Sequence, residues 1–315
     1  MEAKAESVRY VALDPSLAGA CEAMTFPKFR HLLLMRPAPR YPAEGDRRVV
    51  QSLGVVAIAD DRPVGLSLAA VPDDAKTGAE LLSVFVDASW RGRGLATELV
   101  ARIETALAAQ GVEVVEGSYT TGKAATPVLE HVLAKRGWDP PAVRTVSVRF
   151  TPVEARTTPW WGRAVMPRGA EIVAWKDVTP EEKQRIFDSH TAKPWIAEGL
   201  EPWAHERLGF EPCSSVAMRH KGEIVGWVIN HHLAQGTVRF TLSYMRPDLA
   251  RRAAILPLYK ASIEKVAEAG YTYCMFITPV EYKGMVDFIR NHCARWIGFV
   301  GETRGVSKRL AQPDR

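Results

Sequence analysis

Short segments rich in β-branched and other apolar residues recur along the chain, and stretches with the apolar spacing of helices lie between them. The first half has six segments typical of strands, at residues 8–13, 55–59, 64–71, 81–86, 112–119 and 143–150. Helical spacing covers residues 15–33, 95–110 and 126–135, whereas the prolines and glycine of residues 36–48 predict a loop. This order of strands and helices predicts an α/β domain.

The second half of the chain repeats the order of the first. Strand patterns occur at residues 171–175, 216–219, 225–229, 238–244 and 271–277, and helical patterns at residues 180–190, 253–268 and 282–292. The landmarks keep their spacing, because Gly65 precedes Arg91 by 26 residues and Gly226 precedes Arg251 by 25. We therefore predict a tandem duplication of one α/β unit.

The domain boundaries are expected where the periodicity stops. Residues 153–169 have no regular apolar spacing and contain Pro159 and Pro167, so they predict a linker, although Trp160 and Trp161 allow packing onto a domain. The first domain then covers residues 1–152 and the second covers residues 170–315.

Composition excludes several classes of protein. The chain has 315 residues and a net charge of +5, but its basic residues are scattered, which argues against a nucleic-acid partner. None of the four cysteines belongs to a C-x-x-C pair or has a histidine at metal-ligand spacing, so we expect reduced thiols and no metal. Without a secretory signal or an apolar run of about 20 residues, we expect a cytoplasmic protein with no membrane partner. The sequence does not indicate an oligomeric state.

Residues 80–96 form the segment with the clearest chemistry. A strand pattern is followed by a short loop with two glycines and then by the start of an amphipathic helix. Backbone N–H groups at a helix start lack intrahelical partners and bind anions, and glycine allows a phosphate to approach the backbone. Arg91 and Arg93 add positive charge. The alternative interpretation is an ordinary strand-to-helix turn with solvated arginines.

This segment resembles the acyl-CoA-binding motif of the GNAT superfamily of N-acyltransferases, written Q/R-x-x-G-x-G/A, with Arg91, Gly94 and Ala96 in its defining places. The resemblance covers the first half from Val8 to about Phe150, and it is fainter in the second half. It implies two tandem GNAT-like domains, the second degenerate, each an α/β fold with a mixed, mostly antiparallel splayed sheet flanked by helices. It also implies acetyl-CoA, or another acyl-CoA, as co-substrate. The cofactor-binding residues it indicates are Val84, Phe85 and Val86 for the pantetheine arm and Arg91, Gly92, Arg93, Gly94, Leu95 and Ala96 for the pyrophosphate.

The family mechanism is direct attack of a neutral amine on the thioester, which needs a base for the ammonium proton. Glu80 lies eleven residues before Arg91, a spacing similar to that of the general-base glutamate in histone-acetylating members, and is the first candidate base. Its alternative role is that of an exposed carboxylate at a strand start. Leu133 occupies the place of the family's frequent tyrosine acid, so Tyr119, water or, less well, His131 is left to protonate the thiolate.

The second half has Ala253 and Ala254 where glycines would be expected in a CoA loop, and we expect this domain to have lost CoA binding and to help form the acceptor site or brace the first domain. His231 and His232 are adjacent on a strand, point to opposite faces and are not expected to share a metal.

Three functions remain open. The first is an acyl-CoA-dependent N-acetyltransferase acting on a small-molecule or peptide amine. The second is an acyl-CoA-sensing or scaffolding protein without turnover, which the missing tyrosine favours. The third is an aminoacyl-tRNA-dependent transferase, which would need a basic face for tRNA.

Overall fold

The computed structural model describes residues 7–41, 46–73, 78–206, 209–234, 236–250 and 253–311. The chain divides into two compact units. Unit 1 consists of Met1–Val143 together with Thr303–Arg315, and unit 2 consists of Arg144–Glu302.

Unit 1 is built on a mixed sheet. Its strands are β1 (Arg9–Ala12), β2 (Ala38–Tyr41), β3 (Asp46–Ala59), β4 (Arg62–Pro72), β5 (Gly78–Val86), β6 (Val114–Thr120) and, from the end of the chain, β13 (Phe299–Arg309). The spatial order is β1-β3-β4-β5-β6-β13, with β2 beside β3. The pairs are antiparallel except for β5 and β6, which are parallel.

Helices cover both faces of this sheet. On one face lie α2 (Leu95–Ala109) and α3 (Thr126–Lys135), which bury an aliphatic stripe that includes Leu99, Ile103 and Leu107. On the other face lie α1 (Ala18–Cys21) and three 3₁₀ helices, Pro15–Leu17, Glu22–Met24 and Pro27–Leu34. The single helix predicted over residues 15–33 is wrong, because Pro27 forces the preceding Phe26 into an extended conformation that interrupts it.

Unit 2 is also built on strands that run in mixed directions within a sheet. Its strands are β7 (Ala142–Phe150), β8 (Ala170–Ala174), β9 (Val216–His220), β10 (Glu223–Ala234), β11 (Thr237–Met245) and β12 (Tyr273–Pro279), in the spatial order β7-β12-β11-β10-β9-β8. Only β11 and β12 pair in parallel among the described pairs of this sheet. Its helices are α4 (Pro152–Arg156), α5 (Pro180–Ala192), α6 (Pro202–Glu206), α7 (Pro247–Ala250), α8 (Ile255–Glu268) and α9 (Lys283–His292).

The strand register of unit 1 contains an irregularity near the parallel pair. Gly65 on β4 lies opposite Val86 on β5, and the pairing slips by one residue after Leu68, so that Leu82 is an extra residue in β5. Such a bulge bends and twists the strand that carries it. The parallel pairing of β5 with β6 covers only Gly78–Leu81, on the other side of this bulge.

Unit 2 has the same register. Gly226 on β10 lies opposite Met245 on β11, and the pairing slips after Ile229, so that Thr241 is the extra residue. In both units the slip comes three residues after the glycine, and four residue pairs join the parallel strands. The duplication that the sequence spacing predicts is therefore also present in the residue-by-residue pairing of the strands.

The two units differ from the predicted domains at their closing strands. Strand β7, predicted to close the first domain, pairs with β12 of unit 2. Strand β13, which the periodicity did not predict, pairs with β6 of unit 1 from Thr303 to Arg309. Each half of the chain thus supplies the last strand of the other unit, so the compact units are Met1–Val143 with Thr303–Arg315 and Arg144–Glu302.

The predicted linker also has a defined structure. Helix α4 begins with a capping box in which Thr151 and Glu154 bond to each other's backbone N–H groups. Trp160 is 7% exposed and belongs to the core of unit 2. Residues 153–169 are therefore part of unit 2. Burial of the large apolar ring of Trp160 stabilises their packing there. Among the residues that the structure describes, no helix is long and apolar enough to cross a membrane.

Candidate functional site

The open side of β5 is the first element of the candidate site. Pairing with β6 ends at Leu81 and Gly117, and among the described strands residues 83–86 pair only with β4. The backbone edge of Val84, Phe85 and Val86 that faces away from β4 is therefore not covered by another described strand. An extended ligand can pair with it. This is the place where an added strand can make main-chain hydrogen bonds.

The loop after β5 is shaped for an anion. Gly92 has φ of 76° and Gly94 has φ of 81°, in the left-handed region that favours glycine. A Cβ atom built on either glycine meets no other atom within 4 Å, so there is open space in front of both. Helix α2 begins after Gly94 with no side-chain cap, which leaves its first N–H groups, including those of Leu95 and Ala96, without an intrahelical acceptor.

The two arginines of the loop bond to the loop itself. Arg91 donates from Nε to the carbonyl oxygen of Val86 at 3.1 Å. The Arg93 guanidinium lies 4.5 Å from the centre of the Trp90 ring and donates to the carbonyl oxygen of Ser89 at 3.4 Å. Both side chains are exposed, so they hold the loop in shape while bringing positive charge to its open side.

Glu80 lies on β5 two residues before the bulge, opposite Glu116 of β6. Residues paired across parallel strands share a face of the sheet, so Glu80 is on the face opposite to that of Leu81 and Gly117. It is half-buried. This places the candidate base where the two strands begin to separate.

Tyr119 lies on the face of the sheet opposite to Glu80, and its hydroxyl group is already hydrogen-bonded. It packs with the core that includes Leu81 and Val115 and donates its hydroxyl proton to Glu130 Oε1 at 2.8 Å. Arg304 of β13 donates to the same oxygen at 2.8 Å. Burial, and then the hydrogen bond to Glu130, raise the pKa of Tyr119 above its usual value. The structure therefore does not bring Tyr119 to the face of Glu80, and this arrangement weighs against Tyr119 as an acid.

Glu130 and Arg304 were not among the residues that the sequence singled out. Glu130 is one carboxylate on a helix, and Arg304 is 174 residues away along the chain. No local pattern connects two such positions, because their contact depends on the placement of β13 beside β6.

A hydrogen bond between two hydroxyl groups lies near the point where β5 and β6 of unit 1 separate. The hydroxyl of Thr25 lies 2.7 Å from that of Ser83 on β5, and both are buried. The next residue, Phe26, is 52% exposed, and the Lys123 ammonium from the loop after β6 lies 5.5 Å from the centre of its ring. An exposed aromatic ring and a cation thus stand beside the end of β6.

The equivalent positions of unit 2 carry different residues. By strand register, Arg239 stands at the place of Glu80 and Phe276 at the place of Gly117. Ala253, before the start of α8, keeps the left-handed conformation with φ of 54° although it is not glycine. Both units thus have a left-handed residue shortly before the helix, but the residues at the positions of Glu80 and Gly117 differ, and Ala254, directly before α8, is right-handed where Gly94 is left-handed.

Of the two adjacent histidines of unit 2, His231 is held by hydrogen bonds on both ring nitrogens. His231 is hydrogen-bonded through Nδ1 to Thr241 Oγ1 at 2.9 Å and through Nε2 to the carbonyl oxygen of His205 at 3.1 Å, and burial lowers its pKa. Within the described ranges, no group of three or more His, Cys, Asp or Glu side chains is arranged to hold a metal ion.

Comparisons with known proteins agree with this geometry. The sequence model of the acetyltransferase (GNAT) family matches residues 24–132, which include β5, the glycine loop and α2. No curated protein matches the chain significantly.

Two solved structures resemble the whole chain. A tandem GNAT protein from the clavulanic acid biosynthesis pathway aligns with a TM-score of 0.56 and 14% identity, over 98% of this chain and 100% of that one. A GCN5-related N-acetyltransferase from Sphaerobacter thermophilus aligns with a TM-score of 0.55 and 15% identity, over 97% of each chain. The chain thus has a tandem GNAT-type fold, and a family built on acyl transfer matches the unit that carries the anion loop.

Proposed function

We propose that unit 1 binds acetyl-CoA, or a close acyl-CoA relative, and transfers the acyl group to an amine. The observation that carries this proposal is the uncapped start of α2 behind Gly92 and Gly94, both left-handed and both facing open space. Phosphate groups are the ligands that such a helix start binds best.

The co-substrate would lie along the open edge of β5. Its pyrophosphate would accept hydrogen bonds from the N–H groups of residues 92–96, and its pantetheine arm would pair with the backbone of Val84, Phe85 and Val86. The thioester would then reach the point where β5 and β6 separate, near the bulge at Leu82 and within the same part of the strand as Glu80.

Glu80 is the proposed general base. It takes a proton from the acceptor ammonium, directly or through water, and the neutral nitrogen then attacks the thioester carbonyl. The new N–C bond forms as the C–S bond breaks, and the CoA thiolate leaves and takes up a proton. We propose water for that last proton, because Tyr119 already donates its own to Glu130.

The acceptor is proposed as a small molecule or a peptide, and the reaction is proposed to occur in the cytoplasm. All four cysteines are free thiols, which suits a reducing compartment.

Titration calorimetry with acetyl-CoA, followed by a CoA-release assay with a panel of amines, tests this function. We expect one acetyl-CoA per chain, since only unit 1 has the glycine loop, and CoA release that depends on the amine. Absence of measurable acetyl-CoA binding by the full chain would contradict the proposal. A stoichiometry of two would show that the loop of unit 2 also works.

A second candidate is an acyl-CoA-binding protein without turnover. Leu133 at the usual tyrosine place and the occupied hydroxyl of Tyr119 favour it. Saturable acetyl-CoA binding with no amine-dependent CoA release across small amines, amino acids and lysine peptides would establish this function in place of the transferase.

A further inference from the structure

Unit 2 contains two large neighbouring cavities. One has a volume of about 470 Å³ and the other about 510 Å³, within the range of sites for small molecules. Their linings share Ile255 and Tyr259 of α8 and Gly284 and Met285 of α9. The larger one lies between β11 and β12, beyond the end of their parallel pairing.

The walls of both cavities are mostly apolar. Both helices line each cavity, and both strands also line the larger one. Several of the aromatic rings contact one another: the Phe240 and Phe276 rings are 4.7 Å apart, and the Tyr259 ring lies 5.7 Å from Phe276. The apolar lining of the larger cavity is completed by Leu200, Met245, Ile277 and Met285. Such walls favour a ligand with an apolar body, since burying it gains roughly 25 cal/mol per Å².

The polar groups inside are mostly satisfied by the protein. The Tyr259 hydroxyl lies 2.6 Å from the Ser243 hydroxyl, and burial raises the pKa of Tyr259 to about 12. Trp160 lines the smaller cavity, and its buried indole nitrogen has no hydrogen-bond partner among the described residues. Burial raises the pKa of the Cys293 thiol to about 11, and the neutral thiol is only a weak acceptor for the indole. A ligand therefore needs few polar groups along its body.

The charged side chains at the cavities have one sign. Arg163 lines the smaller cavity, Lys283 lines the larger, and both side chains are exposed. No aspartate or glutamate lines either cavity within the described residues. A single anionic group at the mouth would be attracted, while a cationic group would be repelled.

The occupant differs from CoA. Phe276 stands where unit 1 has Gly117, and its ring packs among Phe150, Phe240 and Tyr259 in the space between the diverging strands. Ala254 directly precedes α8 as Gly94 directly precedes α2, so a Cβ atom stands where unit 1 has only glycine. The space between β11 and β12 is thus lined by apolar side chains, whereas the corresponding edge of β5 in unit 1 offers backbone groups for hydrogen bonds.

We propose that unit 2 binds an aliphatic monocarboxylate, with its chain in the apolar cavity and its carboxylate at the cationic mouth. This site is separate from the proposed acyl-CoA site of unit 1 and does not depend on that function. It gives the second half of the duplication a ligand of its own.

Calorimetry on the full-length chain tests the proposal with decanoate and, as a probe of the same chain length and opposite charge, decylammonium. We expect saturable binding of one decanoate per chain and binding of decylammonium at least tenfold weaker. Equal affinities for the two probes, or no saturable decanoate binding, would overturn the proposal.

Gly284→Phe locates the site. Gly284 has no left-handed φ, and a Cβ there meets no atom within 4 Å, so the new ring enters the open space that both cavities share. We expect at least a tenfold loss of decanoate affinity, with acetyl-CoA binding unchanged. Gly19→Phe is the matched control, because Gly19 is also in a helix with open space before it but belongs to unit 1. Wild-type decanoate affinity in Gly284→Phe, or an equal loss in Gly19→Phe, would refute the location.

Charge reversal gives an independent variant should Gly284→Phe fail to fold. Arg163→Glu combined with Lys283→Glu changes two exposed side chains and is expected to weaken decanoate and strengthen decylammonium. Decanoate competing with acetyl-CoA for one site would show that the carboxylate binds in unit 1 and would overturn the proposal.

Discussion

Replacing Gly94 with alanine separates the binding role of the glycine loop from its conformational role. At φ of 81° an L-residue costs about 1–2 kcal/mol, and the lower entropy of the unfolded alanine chain offsets about 0.4–1 kcal/mol of this. No steric contribution is added, because the new Cβ meets no protein atom within 4 Å. We therefore expect a loss of about 0.5–1 kcal/mol in the stability of unit 1.

The same Cβ atom occupies the space that the proposed pyrophosphate needs. Losing one charge-assisted hydrogen bond to a backbone N–H corresponds to about 1.5–3 kcal/mol, or roughly a ten- to hundredfold weaker acetyl-CoA affinity. Thermal unfolding should show a shift of about 2–4 °C per kcal/mol, and calorimetry should show the loss of affinity.

Gly111→Ala is the matched control for this experiment. Gly111 follows the other end of α2, has φ of 83° and also has open space before it. It should lose as much stability as Gly94→Ala while keeping wild-type acetyl-CoA affinity. If the two variants bind acetyl-CoA equally well, the phosphate does not lie at Gly94 and the reasoning about the loop is refuted.

Three further outcomes follow from the site and the core. Glu80→Gln should lower turnover by about 10²–10⁴ with little change in acetyl-CoA affinity, and the loss should shrink at high pH, where more amine arrives neutral; a wild-type rate at every pH would place the base elsewhere. Tyr119→Phe should cost less than tenfold in turnover, because the hydroxyl proton is held by Glu130, and a larger loss would return Tyr119 to the role of acid. Glu104→Ala should destabilise unit 1 by about 2–4 kcal/mol in urea unfolding, since this carboxylate is 5% exposed and accepts from the Trp138 indole and from Lys308; a loss below 1 kcal/mol would show that the buried network contributes little.

The elements that sequence reasoning predicted are those whose signal is local. The apolar stripe of α2 and the glycines on either side of it are readable because each feature lies within a few residues. The duplication was predicted from the distance between Gly65 and Arg91 and its counterpart in the second half, and the register confirms it at β4 and β10.

The features that escaped prediction depend on partners far apart in the chain. The apolar pattern of a strand does not indicate which other strand it pairs with. Nothing in residues 143–150 therefore indicated that β7 would pair with β12. Strand β13 contains charged and glycine residues that weaken its alternation, and Arg304 gains its partner Glu130 only once that strand is in place. The 3₁₀ turns before Leu34 show that a single proline can override an otherwise helical spacing.

Because unit 1 includes a segment from each end of the sequence, it cannot be completed until the residues of unit 2 have been translated. Unit 1 includes Thr303–Arg315, whereas the rest of it ends at Val143, so about 160 residues are translated in between. At ~5–20 residues per second, the first unit waits roughly 8–30 s for its last strand. Strand β6 has an exposed edge during that interval, and a product terminated early would never cover it. Unit 1 is thereby completed only in chains that have been translated through Thr303–Arg309, although the glycine loop of its proposed site lies about 210 residues earlier in the sequence.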